Sequence, residues 1–394
     1  MKFLLSFLLL LNTILACKTQ PQTNALIEDK TLKMGADRTE LYLPDLKNKR
    51  VALVVNHTSV IGRTHLADSL KTLGIDIKTI FAPEHGFRGT ADAGETIKNG
   101  LDTKTGLPII SLYGQNKKPS AQMLKDIDVL IFDIQDVGAR FYTFISTLHY
   151  VMEAAAENNK LLIVLDRPNP NGHYADGPVL DKKFSSFVGL NTIPVVHGCT
   201  VGELAEMANG ENWLKNGGKC KLKIIKCLNY THQTSYEPPI APSPNLPNLQ
   251  AMLLYPSICF FEPTEISVGR GTDTQFQVIG GPQTGYGAYR FTPTDKPGAM
   301  NPPNEGKLCY GLDLRGIDAR KHGFTLKYLI DFYQKSGLGD KFFNSPSFFD
   351  KLVGNDKLRK QLQDKLTEEE IRKSWQPDLD NYRKMRKKYL LYEE

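Results

Sequence analysis

Residues 128–134 have the sequence DVLIFDI, an apolar run that is typical of a strand buried on both faces of a sheet. Similar runs occur at 50–56 (RVALVVN), 76–81 (DIKTIF), 107–112 and 160–166 (KLLIVLD). Helical spacing predicts helices over 65–73, 120–125, 143–157 and 200–209, with Ser120 as a cap and Thr200 and Glu203 as a capping box. Strands that alternate with helices predict an α/β fold with a doubly wound, mostly parallel sheet.

Polar residues and turn formers follow four of the predicted strands. They are 56–59 (NHTS), 82–89 (APEHGFRG), 135–142 (QDVGARFY) and 167–170 (RPNP). In a sheet of this kind, ligands bind beyond the carboxyl ends of the strands. The sequence therefore predicts a site at one edge of the sheet.

Glu84 is the first catalytic candidate at this edge, because a partly buried carboxyl group that faces a cleft suits a general acid. The alternative is a glutamate that forms an ion pair with Arg88, four residues further on. Asp136 is a second candidate, although Arg140 could instead hold it or Asp133 in a structural ion pair.

Other strand ends and the second half of the chain add binding candidates. Some of them have a structural alternative: a hydrogen-bonded turn for 166–169, a satisfied core histidine for the residue that follows PVV, and an exposed turn for the arginine between two glycines. The candidates are Asp166, Arg167, Asn169, His197, Ser243, Asn245, Glu262 and Arg270. The proline-rich stretch 238–247 predicts an extended crossing between two domains.

Composition and the absence of known motifs disfavour several classes of protein. With 394 residues, 41% of them hydrophobic, and a net charge of +6, the chain is an ordinary globular protein without a nucleic-acid footprint. It lacks a Walker A sequence, a Gly-x-Gly-x-x-Gly after the first strand and a Gly-x-Ser-x-Gly elbow. The five cysteines after residue 17 match no metal or redox spacing, so they are expected to be buried, and we predict no metal.

The N-terminus resembles a secretory signal. Lys2 precedes an apolar run over 3–11, and Leu15-Ala16 precedes Cys17 in the manner of a lipobox. We therefore expect residues 1–17 to be a lipoprotein signal peptide, Cys17 to carry a lipid anchor, and residues 18–44 to be a tether. The membrane partner would be the outer membrane, with the body facing the periplasm.

Ten ordered blocks of the sequence resemble the NamZ-type exo-β-N-acetylmuramidases. They are PEHGFRG (83–89), ADAGE (91–95), TGLPIISLYG (105–114), DIQDVGARFYT (133–143), LDRPNPNG (165–172), DGPVLD (176–181), SFVGL (186–190), PVVHGCTVGELA (194–205), PSPNLPNL (242–249) and VGRGT (268–272). The resemblance extends from about residue 49 to Tyr392. Two positions depart from it: Cys199, where similar sequences usually have Met, and Val268, where they often have Glu.

The resemblance implies a Rossmann-like N-terminal domain, placed at 45–247, a smaller C-terminal α+β domain, placed at 248–394, and a cleft between them. It also implies a glycosidase that needs no cofactor and that releases N-acetylmuramic acid from the non-reducing end of peptidoglycan fragments, for cell-wall turnover or recycling. The expected partners are peptidoglycan-derived saccharides or muropeptides.

We combine the strand-end carboxylates with this resemblance in one mechanistic hypothesis. Glu84 would be the general acid, and Glu262 or Asp136 the base or nucleophile, in a retaining, inverting or acetamido-assisted reaction. Arg270, Arg140 or Arg167 would pair with the lactyl carboxylate of muramic acid. Further sugar contacts are predicted for His85, Arg88, Tyr142, Asp166, Asn169, His197, Ser243 and Asn245. The alternatives are a lipoprotein that binds muropeptides or glycans without cutting them, and a hydrolase of an amide or ester.

Overall fold

The computed structural model describes residues 30–88 and 99–394. These residues form strands β1 (Arg50–Val55), β2 (Val60–Ile61), β3 (Thr64–His65), β4 (Asp76–Ala82), β5 (Gly100–Leu101), β6 (Pro108–Ser111), β7 (Val129–Asp133), β8 (Leu161–Leu165), β9 (Asp176–Val179), β10 (Pro194–Val196), β11 (Lys221–Ile225), β12 (Val278–Gly281), β13 (Tyr289–Phe291) and β14 (Cys309–Asp313).

The α-helices lie on both sides of the main sheet and throughout the C-terminal part. They are α1 (Leu43–Leu46), α2 (Leu66–Thr72), α3 (Ala121–Leu124), α4 (Phe144–Glu157), α5 (Val201–Gly210), α6 (Leu249–Ile258), α7 (Ala319–His322), α8 (Lys327–Ser336), α9 (Pro346–Val353), α10 (Lys357–Gln363), α11 (Glu368–Lys373) and α12 (Gln376–Arg386).

The main sheet has seven strands in the order β11-β8-β7-β1-β4-β6-β5. Its strands pair in parallel except for β5, which runs antiparallel to β6. The chain builds outward from β1 through β4 to β6, and then resumes at β7 on the other side of β1. This reversal at the centre of the sheet is the doubly wound Rossmann-like topology, so the predicted fold class is confirmed.

The central strand shows why apolar runs of this kind form the sheet. Val51, Leu53 and Val55 pack into the hydrophobic cluster on one face, whereas Ala52 and Val54 belong to the cluster on the other face. Because side chains alternate across a strand, an unbroken apolar run is needed where both faces are covered.

The five predicted strands and four predicted helices of the first half are all present, and no end shifts by more than one residue. Ser120 Oγ accepts a hydrogen bond from Met123 N at 3.3 Å, which makes it the predicted cap of α3. In α5, Glu203 N donates to Thr200 Oγ1, and Thr200 N donates back to Glu203 Oε2 at 2.8 Å, which confirms the capping box.

The region predicted as a tether, 18–44, needs a correction at its C-terminal end. Residues 18–29 lie outside the described residues, but Ala36 and Tyr42 are fully buried. Tyr42 donates to Ala36 O at 2.9 Å, and Gly35 N donates to Asp166 O at 2.9 Å. The aromatic ring and the small residues of this segment pack on the sheet, so residues 33–44 belong to the globular body.

The C-terminal part follows α6 and contains the antiparallel sheet β12-β14-β13 and helices α7 to α12. Residues 32–394 form one compact unit. The division of this unit into domains at residues 247 and 248 stays a prediction.

The last residues of the chain pack into the first half through buried hydrogen bonds. The Asp166 carboxylate, fully buried at the end of β8, accepts hydrogen bonds from Tyr392 Oη at 2.6 Å, Thr200 Oγ1 at 2.7 Å and Gly202 N at 2.8 Å. Burial raises the pKa of Asp166 to about 6, although these hydrogen bonds oppose the rise.

The raised pKa of Asp166 predicts a pH-dependent stability. The folded state binds a proton on the Asp166 carboxyl group more tightly than the unfolded chain does. The free energy of unfolding of wild type should therefore increase, relative to that of Asp166→Asn, as the pH falls from about 7 to about 4. The gain should be about 3 kcal/mol, from a shift of about two pKa units. Urea unfolding of both proteins at several pH values measures it; a constant difference between the two proteins would contradict the assignment.

Candidate active site

A polar and aromatic cavity of about 530 Å³ lies beside the carboxyl ends of β4 and β6. Its walls come from both halves of the chain. Of the predicted site residues, it is lined by Glu84, His85, Tyr142, Ser243, Asn245, Glu262 and Arg270. The strand-end rule and this cavity therefore indicate the same edge of the sheet.

The turn after β4 brings Glu84 into the cavity. Gly86 N donates to Pro83 O at 3.0 Å, and the chain turns through His85 and Gly86 with φ values of 67° and 76°. Glycine adopts this left-handed conformation readily, but for histidine, which has a Cβ atom, it is sterically unfavourable. A strained residue next to a cavity is typical of a functional turn.

Hydroxyl groups hold the Glu84 carboxyl group in place. Thr143 Oγ1 donates to Glu84 Oε2 at 2.6 Å, and the Tyr113 side chain also hydrogen-bonds to Glu84. Burial and the nearby Glu84 raise the pKa of Tyr113, so its phenol stays protonated and can donate. Donors from β6 and from the start of α4 thus fix the orientation of the carboxyl group.

We expect Thr143→Val to lower turnover about tenfold, because a hydrogen bond to a carboxyl group contributes on the order of 1.5 kcal/mol. The change keeps the shape of the side chain, so the melting temperature should stay close to that of wild type. Thr72→Val, which removes an exposed hydroxyl on α2 that donates to Asp68 O, is the matched control. Equal turnover in the two variants would show that Thr143 does not position Glu84.

Glu262 enters the same cavity from the C-terminal half, just after α6, and is paired with Arg270. Arg270 Nε donates to Glu262 Oε1 at 2.5 Å, and the guanidinium group lies over the Phe276 ring at 5.2 Å. Burial alone would lower the pKa of Arg270, but the charge of Glu262 outweighs it and the pKa is raised. The pair therefore presents a carboxylate and a permanently charged guanidinium group to one cavity.

Tyr142, Ser243 and Asn245 form a polar wall of the cavity. Burial holds the pKa of Tyr142 well above its usual value, and the charges of Asp136 and Glu84 raise it further. Asn245 Nδ2 donates to Gly298 O at 2.7 Å, which fixes the orientation of its amide. The proline-rich stretch 238–247 carries two of these residues, so it reaches the cavity as predicted.

Asp136 and His197 lie outside the cavity lining and pair with each other instead. Both are buried, with Asp136 Oδ2 3.3 Å from His197 Nε2 and 2.7 Å from Gly138 N. His197 Nδ1 accepts a hydrogen bond from Cys199 N at 3.2 Å, which leaves Nε2 to carry the proton that faces the carboxylate. His197 is a buried core residue, as the structural alternative expects, but its Nε2 has no hydrogen-bond partner among the described residues. The charge of Asp136 reaches the cavity by raising the pKa of Tyr142.

The predicted roles of Arg140 and Arg167 in substrate binding need correction, because internal partners occupy both guanidinium groups. Arg167 forms two hydrogen bonds with Asp133, at 2.5 and 2.9 Å, and only 3% of its surface is exposed. Arg140 is fully buried and donates to four backbone carbonyl groups, of Pro178, Ile193, Leu352 and Val353. Neither side chain can reach a ligand in the cavity.

Three further candidates also have structural partners. Asp166 anchors the C-terminal residues. Asn169 Nδ2 donates to Cys199 O at 2.8 Å, and Asn169 Oδ1 accepts from Asn171 N at 2.8 Å, which is the turn alternative. Arg88 pairs with Asp102 at 2.8 Å rather than with Glu84.

Several residues of the cavity were not predicted. They are chiefly aromatic side chains together with a lysine, a threonine and a thiol: Tyr113, Lys117, Thr143, Phe187, Tyr255, Cys259, Phe276 and Phe348. Tyr113 follows the predicted strand 107–112, so the strand-end rule could have found it. The others carry no local signal, because packing of distant segments brings them together.

The five cysteines after residue 88 are free and buried, as expected. Cys199 and Val268, the two departures from the family pattern, are buried and lie outside the cavity lining. Among residues 30–88 and 99–394, we find no cluster of histidine, cysteine and acidic side chains that could hold a metal ion. No helix in these two ranges is long and apolar enough to cross a bilayer.

The fold is a Rossmann-like α/β sheet, and the cavity at its edge has aromatic walls and two glutamates. Two carboxyl groups in one cavity are typical of a glycosidase. The chain belongs to the NamZ exo-β-N-acetylmuramidase family: residues 51–250 match its N-terminal domain and residues 253–392 its C-terminal domain. It is 37% identical to the peptidoglycan β-N-acetylmuramidase NamZ of Bacillus subtilis (strain 168), over 98% of each chain.

Solved structures agree with this assignment. A DUF1343 family protein from Bacteroides fragilis NCTC 9343 is 48% identical, with a TM-score of 0.86 over 92% of this chain and 99% of its own. A second DUF1343 family protein from the same organism is 30% identical, with a TM-score of 0.80 over the same shares of the two chains.

Proposed function

We infer that the protein is an exo-acting glycosidase that releases N-acetylmuramic acid from the non-reducing end of peptidoglycan fragments. Membership of the family supports the activity and the substrate. The observation that carries the inference for this chain is that Glu84 and Glu262, which are far apart in sequence, line one cavity. A pair of carboxyl groups around one bond is what most glycosidases use.

We assign the general acid to Glu84. The turn after β4 places the carboxyl group in the cavity, and the Thr143 hydroxyl group donates to its Oε2. In this assignment Glu84 donates a proton to the oxygen of the leaving sugar as the glycosidic bond breaks. A glutamate held in one orientation next to the bond makes that transfer efficient.

Glu262 is our choice for the second carboxylate. Asp136 is the weaker choice, because it pairs with a buried histidine outside the cavity lining. Arg270 pairs with the Glu262 carboxyl group and holds it in the cavity, where a base, a nucleophile or a group that orients the acetamido nitrogen would have to lie.

Arg270 is also our choice for binding the lactyl carboxylate of muramic acid. It is the only one of the three predicted arginines among the residues that line the cavity. About a fifth of its side chain is exposed, so it retains room for a ligand next to Glu262. Lys117, over the Phe187 ring at 4.7 Å, adds a second positive charge to the cavity.

Defined disaccharides test the exo activity. We expect the protein to cleave a disaccharide with N-acetylmuramic acid at the non-reducing end into two monosaccharides. The disaccharide with the reverse order of sugars should stay intact. Mass spectrometry of the products distinguishes the two, and cleavage of both, or release from the interior of a long strand, would contradict the proposal.

We further propose that the protein is an outer-membrane lipoprotein that faces the periplasm. The support is the sequence Leu15-Ala16-Cys17 after the apolar run 3–11, which lies outside the described residues. Growth with a fatty acid that carries a clickable group should label wild type but not Cys17→Ser. Label in both proteins, or in neither, would contradict lipidation at Cys17.

A further inference from the structure

A second cavity, of about 660 Å³, lies between the end of β9, the loop before α10 and helix α12. None of its lining residues also lines the active-site cavity. Both tryptophans of the chain, Trp213 and Trp375, line it. A cavity with this concentration of large aromatic side chains is a candidate binding site that the glycosidase activity does not explain.

The two tryptophans give the cavity flat apolar surfaces. Trp213 is partly exposed and contacts two of the hydrophobic clusters, whereas only 6% of the surface of Trp375 is exposed. The buried Trp375 Nε1 has no hydrogen-bond partner within the part of the chain that the structure describes. An indole ring packs on an apolar face and donates one hydrogen bond, so both properties suit a ligand that is partly apolar and partly polar.

Helix α12 provides a polar edge to these surfaces. Asp378, Asn381, Tyr382 and Met385 all line the cavity, and their spacing of three, four and seven residues places them on one face of the helix. Asp378 and Asn381 are exposed. Short carboxylate and amide side chains beside an aromatic ring can bind the hydroxyl and acetamido groups of a sugar.

We propose that this cavity binds N-acetylglucosamine units, the uncharged sugars of the glycan strand. Binding of this kind would keep the enzyme attached to its peptidoglycan substrate. The choice of ligand rests on the proposed function, because peptidoglycan alternates this sugar with muramic acid. The cavity has three aspartates, Asp181, Asp356 and Asp378, against two lysines. An excess of negative charge disfavours the carboxylate of muramic acid but not the uncharged sugar.

The wall between the two cavities is built around Arg140. Its Nη1 donates to Pro178 O, which belongs to a residue that lines the second cavity. Its Nη2 donates to Leu352 O, which belongs to a residue that lines the active site. Three residues further on, Asn355 lines the second cavity, so the two cavities are neighbours.

Tryptophan fluorescence tests the proposal, because both fluorophores of this type line the second cavity. Titration of the mature protein with tetra-N-acetylchitotetraose should change the emission saturably, and equally in Glu84→Gln. The double variant Asp378→Ala/Asn381→Ala should weaken this binding at least tenfold. Lys384→Ala, an exposed change on α12 outside the cavity lining, is the matched control and should bind like wild type.

Hydrolysis of a small chromogenic muramide, measured on the same samples, separates this proposal from the proposed function. Both α12 variants should hydrolyse it at the wild-type rate. The proposed glycan site would be wrong if the oligosaccharide caused no change in emission up to its solubility limit. It would also be wrong if the double variant bound the oligosaccharide as tightly as wild type. Either result would count even with normal hydrolysis of the muramide. A response to a free stem peptide but not to the chitooligosaccharide would also overturn it. Saturable binding of the oligosaccharide without any hydrolysis of the muramide would contradict the proposed glycosidase activity. It would also contradict the proposal that the second cavity keeps an enzyme on its glycan strand.

Discussion

Glu84→Gln is expected to lower turnover of a muramic acid glycoside by about 10²- to 10⁴-fold, the usual contribution of a positioned general acid. The amide keeps the size of the side chain and can still accept the hydrogen bond from Thr143, but it has no acidic proton to transfer to the leaving group. The loss should be greatest with a poor leaving group, because that bond depends most on protonation.

The matched control for this substitution is Glu206→Gln, a partly buried glutamate on α5 outside the cavity lining. It should leave the steady-state rate close to that of wild type. Near-native turnover by Glu84→Gln on a substrate with a poor leaving group would show that another residue is the acid.

Arg140→Met should cause the largest loss of stability, lowering the free energy of unfolding by about 4 kcal/mol. The substitution removes the Arg140 donor from four buried carbonyl groups, of which Ile193 O keeps the Leu180 N donor. An unsatisfied buried polar group costs about 1–3 kcal/mol before relaxation. Because these carbonyl groups belong to both halves of the chain, their junction should loosen first.

Arg315→Met is the control for Arg140, because its guanidinium group pairs with Asp313 at the surface. A surface ion pair contributes about 1 kcal/mol or less, so this variant should unfold close to wild type. Denaturant unfolding measures both variants. Equal stability of Arg140→Met and Arg315→Met would contradict the structural role of Arg140.

The sheet and the edge that holds the site could be predicted because both follow from local patterns. Apolar runs fix β1, β4, β7 and β8, and the polar residues after β4 led directly to Glu84. The same rule could not tell which strand-end side chains face the cavity. The pairs Asp133–Arg167 and Asp136–His197 have the chemistry of a site, but in each pair the two side chains face each other inside the protein.

The C-terminal part was harder to predict from sequence. The glycine-rich strand β12 and the three-residue strand β13 carry weak periodicity, and β11 at the edge of the main sheet has alternating lysines rather than an apolar run. Thr143 and Tyr113 become partners of Glu84 only when β4, β6 and α4 meet in the fold. Pairing of this kind depends on tertiary packing, which no local pattern records.

The most direct test of the central claim is release of 4-nitrophenol from its β-N-acetylmuramide, measured beside the matching β-N-acetylglucosaminide. We expect wild type to turn over the muramide and not the glucosaminide, because the cavity holds Arg270 and Lys117 for the lactyl carboxylate. Failure to hydrolyse either compound would contradict a muramidase and favour a protein that binds glycans without cutting them. Equal hydrolysis of both compounds would contradict recognition of the lactyl group.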